Sequence, residues 1–334
     1  DAIKLDFGVQ ISDSDGDIVE TTVSITVKDD APISIDATDL SVDETNLTAG
    51  DQTASGSVSV DFGSDGAGGV TGNGASAING ITSGGHPVSV GYDAPSGTYT
   101  GTANGVTVFT MTVHNNGNYD FTLKGVIDHP DGSNPNDAIS LNFGVIATDG
   151  DGDSIQTMVQ VDVLDDGPIC VVPQTATLDE SDMAPDVSVS GQLDAHFGQD
   201  GAGGFAGNGV GPSQPLTSNG APVTVSYDSA SNTYTGMAGA QTVFTLSIDS
   251  NGHYNFVLEG TLDHPDTSDP NDALILNFGV TAKDFDGDAV DGTLKIKVLD
   301  DGPVAHDDMV SFDVSLNSVD GNVMANDDLS QDQD

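Results

Sequence analysis

A repeat of about 135 residues constrains this chain more than any other feature. The tripeptide DAI at Asp1 returns as DAI at Asp137 and as DAL at Asp272, so the steps are 136 and 135 residues. The segment FGSDGAGG from Phe62 recurs as FGQDGAGG from Phe197, and YDFTLKGVIDHP from Tyr119 recurs as YNFVLEGTLDHP from Tyr254. Each unit closes on one signal: DDAP at Asp29, DDGP at Asp165 and DDGP at Asp300. A period this long belongs to an array of whole domains rather than to a solenoid of short repeats. The expected boundaries are a truncated repeat over 1–32 that supplies the last two strands of a domain, full repeats over 33–168 and 169–303, and a different segment over 304–334. The short linkers around Pro32 and Pro168 leave no slack for folding back, so the full repeats are expected end to end.

Within a unit the apolar period is two. Ile139, Leu141, Phe143, Val145 and Ala147 alternate with mostly polar residues, and so do Ile155, Thr157, Val159, Val161 and Val163. That is strand periodicity. Turn residues such as Asn115, Asn116 and Gly117 separate the alternating runs, and no sustained helical pattern exists. The expected fold class is all-β: tandem Ig-like antiparallel β-sandwich domains joined end to end. A repeat of this length exceeds a minimal Ig domain, and the Gly-rich segment from Gly63 to Gly74 is expected to carry the excess as a flexible surface loop.

Charge narrows the function. The 334 residues hold 53 Asp or Glu and 6 Lys or Arg, a formal net charge of -47. Two carboxylates about 4 Å apart repel by roughly 4 kcal/mol at an effective dielectric near 20, so clustered acids need solvent, salt or a cation. Nucleic acid and anionic membrane are excluded as partners on this balance, and no apolar run reaches the roughly 20 residues of a membrane helix. Cys170 is alone, so no intramolecular disulfide forms, and it is expected as a small residue on a strand. The start inside a repeat and the interrupted last motif predict an internal piece of a longer protein.

The most informative motif is D-x-D-G-D: Asp13, Asp15 and Asp17; Asp149, Asp151 and Asp153; Asp284, Asp286 and Asp288. It sits between two alternating runs and is expected at the tip of the hairpin of each domain's last two strands. An EF-hand reading fails, because the glycine is fourth rather than sixth and the twelfth position holds Ser24, Gln160 or Lys295 instead of Glu. Closely spaced carboxylates still suit Ca²⁺, which accepts six to eight oxygens in adaptable geometry. A solvated Asp-Gly turn is the plain alternative.

Topology sharpens the expectation. The tip of that hairpin lies at the pole facing the preceding domain, where the DDxP linker arrives. Asp29 and Asp30 are therefore expected to meet Asp149, Asp151 and Asp153, and Asp165 and Asp166 to meet Asp284, Asp286 and Asp288. Asp13, Asp15 and Asp17, with Asp300 and Asp301, complete the candidate calcium ligands. Weaker candidates are Asp43 with Glu44 and Asp179 with Glu180, for which an exposed strand edge serves equally well, and the NPNDA and DPNDA loops at Asn134 and Asp269. The DHP turns at Asp128 and Asp263 are read as turns with an exposed histidine. No G-x-S-x-G elbow, H-E-x-x-H helix or Cys/His set appears, and no catalytic role is expected.

The stretches VFTMTVHNNGNYDFTLKGVIDHP at 108–130, VFTLSIDSNGHYNFVLEGTLDHP at 243–265 and LNFGVIATDGDGDSIQTMVQVDVLDDGP at 141–168 resemble the repeat domains of giant type I secreted bacterial RTX adhesins. The segment from Ala305, with DGNVMANDD at Asp320 to Asp328, looks like the opening of a cadherin-like or VCBS-type repeat. The resemblance implies an extracellular, surface-anchored extender stiffened by Ca²⁺ between neighbouring repeats of the same chain, in an adhesin supporting attachment and biofilm formation. The ligand would be bound elsewhere in the full protein. The competing readings are repeats that themselves bind a ligand or glycan through the Gly-rich segments, or an accessory region of a secreted polysaccharide-acting enzyme.

Overall fold

The computed structural model describes residues 2–266, 268–311, 318, 320–328 and 330. The chain divides into two compact units, one of Asp1–Asp128 with Ala138–Asp165 and one of His129–Asp137 with Asp166–Asp334.

In the first unit, two sheets face each other. One has six antiparallel strands in the spatial order Ser34–Ala37, Gln52–Asp61, Asn118–Leu123, Val106–Val113, Thr98–Ala103 and Ser89–Asp93. The other has four, in the order Leu40–Asp43, Ser154–Leu164, Ala138–Asp149 and Ala67–Ser76, with Leu40–Asp43 running parallel to its neighbour. The second unit repeats this plan. Its six-stranded sheet runs Val187–Gln192, His253–Leu258, Gln241–Ile248, Thr233–Ala238, Ala221–Asp228 and Leu216–Ser218, and its four-stranded sheet runs Gln174–Asp179, Ala289–Leu299, Ala273–Asp284 and Ala202–Gly207. Cys170 lies on a short strand, Cys170–Val171, paired with Ala195–His196.

Alternation fills the space between the sheets. Leu141, Phe143, Val145 and Ala147 point inward from one strand, and Val159, Val161 and Val163 from its partner, all fully buried. At the centre Phe143 meets Tyr99, Phe109 and Phe121 at ring-centroid distances of 5.3, 5.8 and 6.1 Å. Phe278 meets Tyr234, Phe244 and Phe256 at the same three spacings. The one polar atom of each set is satisfied: the Tyr99 hydroxyl donates to the Gly144 carbonyl at 2.6 Å, and Tyr234 to Gly279 at 2.6 Å. A buried tyrosine is tolerated because its hydroxyl finds such a partner.

The Gly-rich segments are not surface loops. Ala67–Ser76 pairs antiparallel with Ala138–Asp149, and Ala202–Gly207 with Ala273–Asp284. Glycine within a strand marks a place where another backbone comes close, and that is its use here. Residues 2–28 form a hairpin, Ala2–Ser12 with Ile18–Lys28, whose side chains Ile3, Leu5, Phe7, Val9 and Ile11 are exposed. In the last segment Val304 bridges Asp328, while positions 312–317, 319, 329 and 331–334 of the expected cadherin-like or VCBS-type start lie outside the described residues.

Candidate metal centres

The D-x-D-G-D segments do sit at hairpin tips. In each, the first aspartate folds the loop onto itself: the Asp149 N–H donates to the Asp153 carbonyl at 2.9 Å, and Asp284 to Asp288 at 3.0 Å. Asp149 Oδ1 accepts from the N–H groups of Gly152 and Asp153 at 3.0 and 2.8 Å, and Asp284 Oδ1 from Gly287 at 3.0 Å. These are Asx turns, the local bonds short acidic side chains make readily. One carboxylate oxygen is thereby used. The other, Asp149 Oδ2 or Asp284 Oδ2, is buried with no hydrogen-bond partner among the described residues.

The F-G-x-D-G-A-G-G motif brings the linker acid to this loop. Gly63 and Gly198 adopt φ of +70° and +74°, and a Cβ there would lie 2.6 Å from Asp30 Oδ2 or 2.2 Å from the Asp166 carbonyl. Only glycine combines that torsion with that approach. The next N–H then reaches the linker side chain: Ser64 donates to Asp30 Oδ2 at 2.7 Å and Gln199 to Asp166 Oδ2 at 2.6 Å. Two residues further along the motif come Asp65 and Asp200, and then Gly68 and Gly203, where a Cβ would meet the carbonyl of Asp149 at 2.0 Å or of Asp284 at 1.6 Å. The glycines thus lock linker, motif and hairpin tip together. Asp65 and Asp200 escaped sequence reasoning because GAGG was read for flexibility; the signal was the Asp recurring at the same place in both repeats.

In the second unit the cluster is Asp166, Asp200, Asp284 and Asp286. Both oxygens of Asp200 and Asp286 Oδ1 are buried without a hydrogen-bond partner among the described residues, while Asp286 Oδ2 accepts from the His129 N–H at 2.8 Å. Burial, then the neighbouring carboxylates of Asp286, Asp166 and Asp284, push Asp200 up to about 8. Burial and then the adjacent carboxylate of Asp286 push Asp284 up to about 7. Asp288 is buried at the foot of the loop.

The first unit holds a more open counterpart. Asp29, Asp30 and Asp65 offer carboxylate oxygens within 4.8 Å of one another, and Asp29, Asp30, Ser64, Asp65 and Asp151 line one cleft. Hydrogen bonding with Asp30 pushes Asp65 up to about 6, with desolvation and then Asp151 adding. The side chain of Asp149 raises Asp151, with further contributions from desolvation, Asp29 and Asp153. Asp30 moves the other way, held down by the Ser64 N–H. Asp13, Asp15 and Asp17 converge on an exposed tip, where the bond to Asp15 lowers Asp13. Asp165 and Glu44, both buried in the first unit, present carboxylate oxygens within 4.8 Å of one another. Asp301 is buried, and Asp300 stands with Glu180 and His264.

Two expectations need correction. Glu44 and Glu180 do not lie on an exposed edge: each opens a short 3₁₀ turn capped by the preceding aspartate, is fully buried, and accepts a backbone N–H at 2.9 Å, from Ile127 or from Leu262. Nor are the DHP histidines exposed. The side chains of His129 and His264 are 1% and 2% accessible, with Nδ1 3.0 Å from Asp137 Oδ1 and 2.9 Å from Asp272 Oδ1. The NPNDA and DPNDA loops supply the aspartate that holds each ring.

The donors in both acidic clusters are hard oxygens, and a buried polar atom without a partner marks an absent water or ion. They fit a divalent cation such as Ca²⁺. Among the described residues no helix is long and apolar enough to cross a membrane.

A family described as "Domain of unknown function (DUF5801)" matches residues 39–162 and again 175–297. No curated protein matches. Among solved structures, the protocadherin GammaB4 extracellular domain aligns over 92% of this chain and 41% of its own at 12% identity, with a TM-score of 0.28. Mouse clustered PcdhgC3 EC1-3 aligns over 89% and 76% at 14%, with a TM-score of 0.28, and mouse protocadherin-24 EC1-3 over 88% and 79% at 15%, with a TM-score of 0.30.

Proposed function

The chain belongs to the family described as "Domain of unknown function (DUF5801)", and we propose that its repeats are calcium-rigidified extenders of a large extracellular bacterial surface adhesin. One observation carries this reading: where the linker acid Asp166 meets the hairpin tip, buried carboxylate oxygens of Asp200, Asp284 and Asp286 have no hydrogen-bond partner among the described residues. Such an arrangement is unfavourable without a cation.

In the second unit Asp166, Asp200, Asp284 and Asp286 would hold Ca²⁺, with Asp288 at the base of the loop. In the first unit Asp29, Asp30, Asp65, Asp149 and Asp151 would do so. When bound, the ion supplies charge neutralisation. The protein does the rest: Asx turns aim the second oxygen of Asp149 or Asp284 inward, and the Ser64 and Gln199 N–H groups hold the linker acid. A linker fixed at its acid is one that cannot swing. Attachment to a cell surface, type I secretion, RTX adhesin identity and a role in biofilm belong to the same proposal, supported by the sequence resemblance, as does the absence of catalysis.

The competing glycan-binding reading relied on free Gly-rich loops. Ladder pairing of Ala67–Ser76 and Ala202–Gly207 removes that support. Calcium titration of the whole chain, followed by melting, tests the proposal. Bound ion stabilises by about 2.7 kcal/mol at a hundredfold excess over Kd. The melting temperature should rise with Ca²⁺ and the rise should shrink in a D284N/D286N/D288N variant. An equal rise in that variant would refute the assignment.

A further inference from the structure

The buried histidine His264 lies outside the all-oxygen clusters. His264 Nδ1 is 2.9 Å from Asp272 Oδ1, and the other oxygen of Asp272 accepts the Asp266 N–H at 3.2 Å. The ring is therefore held in a fixed orientation by a carboxylate that is itself fixed. Its Nε2 is buried and has no hydrogen-bond partner among the described residues. One ring nitrogen of His264 and carboxylate oxygens of Glu180 and Asp300 lie within 4.8 Å of one another, and with Nδ1 held by Asp272 it is Nε2 that is left to face them. Glu180 is anchored in turn, since its Oε1 accepts the Leu262 N–H at 2.9 Å.

We propose that His264, Glu180 and Asp300 form a binding site for a divalent transition-metal ion of the zinc class, chemically distinct from the calcium-type acidic clusters. A direct ion pair would bring Nε2 within hydrogen-bond distance of a carboxylate, and no such bond is made. Ligand atoms about 2.0–2.2 Å from one metal stand up to roughly 4.2 Å apart, so a grouping within 4.8 Å closes on one ion after a small adjustment of the side chains. An imidazole nitrogen selects borderline metals over Ca²⁺, which takes oxygen. The Asp272–His264 bond is the outer-shell pairing that metal-bound histidines use to fix tautomer and ring plane. The partly exposed Asp300 leaves an entry path.

The residue types return in the preceding repeat as Glu44, His129, Asp137 and Asp165. The local bonds return as well: Glu44 accepts the Ile127 N–H at 2.9 Å, and His129 Nδ1 stands 3.0 Å from Asp137.

The test is Zn²⁺ calorimetry on the whole chain, stripped of metal and then held in saturating Ca²⁺, with Co²⁺ absorption as the spectroscopic readout. Zn²⁺ should bind despite the Ca²⁺, and Co²⁺ should give visible bands with histidine ligation. H264Q should lose one equivalent and reduce the bands, while H253Q, on the surface, should change neither. D272N, which frees the ring without removing a ligand, should weaken binding about 10–100-fold. Should H264Q fail to fold by far-UV circular dichroism, the partly exposed D300N replaces it and should lose the same equivalent. Absence of Zn²⁺ binding in Ca²⁺, its complete displacement by Ca²⁺, or an unchanged equivalent in folded H264Q or D300N would overturn the proposal and leave an ordered water as the occupant.

Discussion

Asp200 concentrates the electrostatic problem of the second unit. Its carboxyl is pushed up to about 8 and that of Asp284 to about 7, both first by burial. A carboxyl whose folded value lies above its unfolded value of 3.8 holds a proton that the unfolded chain has already released. Without metal, stability should therefore fall as pH rises from about 4 through about 8, with the slope set by the protons held in excess by the folded state. Saturating Ca²⁺ replaces those protons and should flatten the fall. Melting curves at pH 5 and pH 8, in chelator and in Ca²⁺, check this. D200N keeps the shape and removes the charge. It should melt higher than the parent in chelator at pH 8 and gain less from Ca²⁺; a lower melting point in chelator would show that Asp200 is satisfied in the metal-free state. The aspartates of D-x-D-G-D were legible from sequence because three copies share one spacing. Asp200 and the buried His264 were not, since each acquires its environment from residues distant in the chain.

At the scale of elements, the alternation of apolar residues was enough to identify the strands ending each repeat. Leu141 to Ala147 and Val159 to Val163 face inward as a period of two requires. The Gly-rich strands were illegible for a physical reason: with no side chains to alternate, Ala67–Ser76 and Ala202–Gly207 carry no period, and only the close approach of another backbone explains them. Two predictions belong here. Truncating Phe278 to Ala removes the ring shared by Tyr234, Phe244 and Phe256, and should destabilise the second unit by about 3–5 kcal/mol in denaturant melts. G203A places a Cβ where the Asp284 carbonyl stands, so the strand must shift, at a cost of about 1–3 kcal/mol and with weakened Ca²⁺ binding. If G203A left both stability and calcium response unchanged, the motif would not be the clamp described above.

For the molecule as a whole, a formal charge of -47 means that folded repeats in tandem exist under their own repulsion, which cations screen or neutralise. Proline after each DD pair fixes one torsion of the linker, and the N–H groups of Ser64 and Gln199 fix the acid before it. On the proposed function, Ca²⁺ bound at the linker acid is what stiffens the linker between repeats. Small-angle scattering of the whole chain in millimolar Ca²⁺ and in EDTA tests this most directly. The account predicts a longer maximum dimension and a narrower distance distribution in Ca²⁺, with the D284N/D286N/D288N variant closer to its EDTA profile in both conditions. Coincident profiles in Ca²⁺ and EDTA for the parent chain would contradict it.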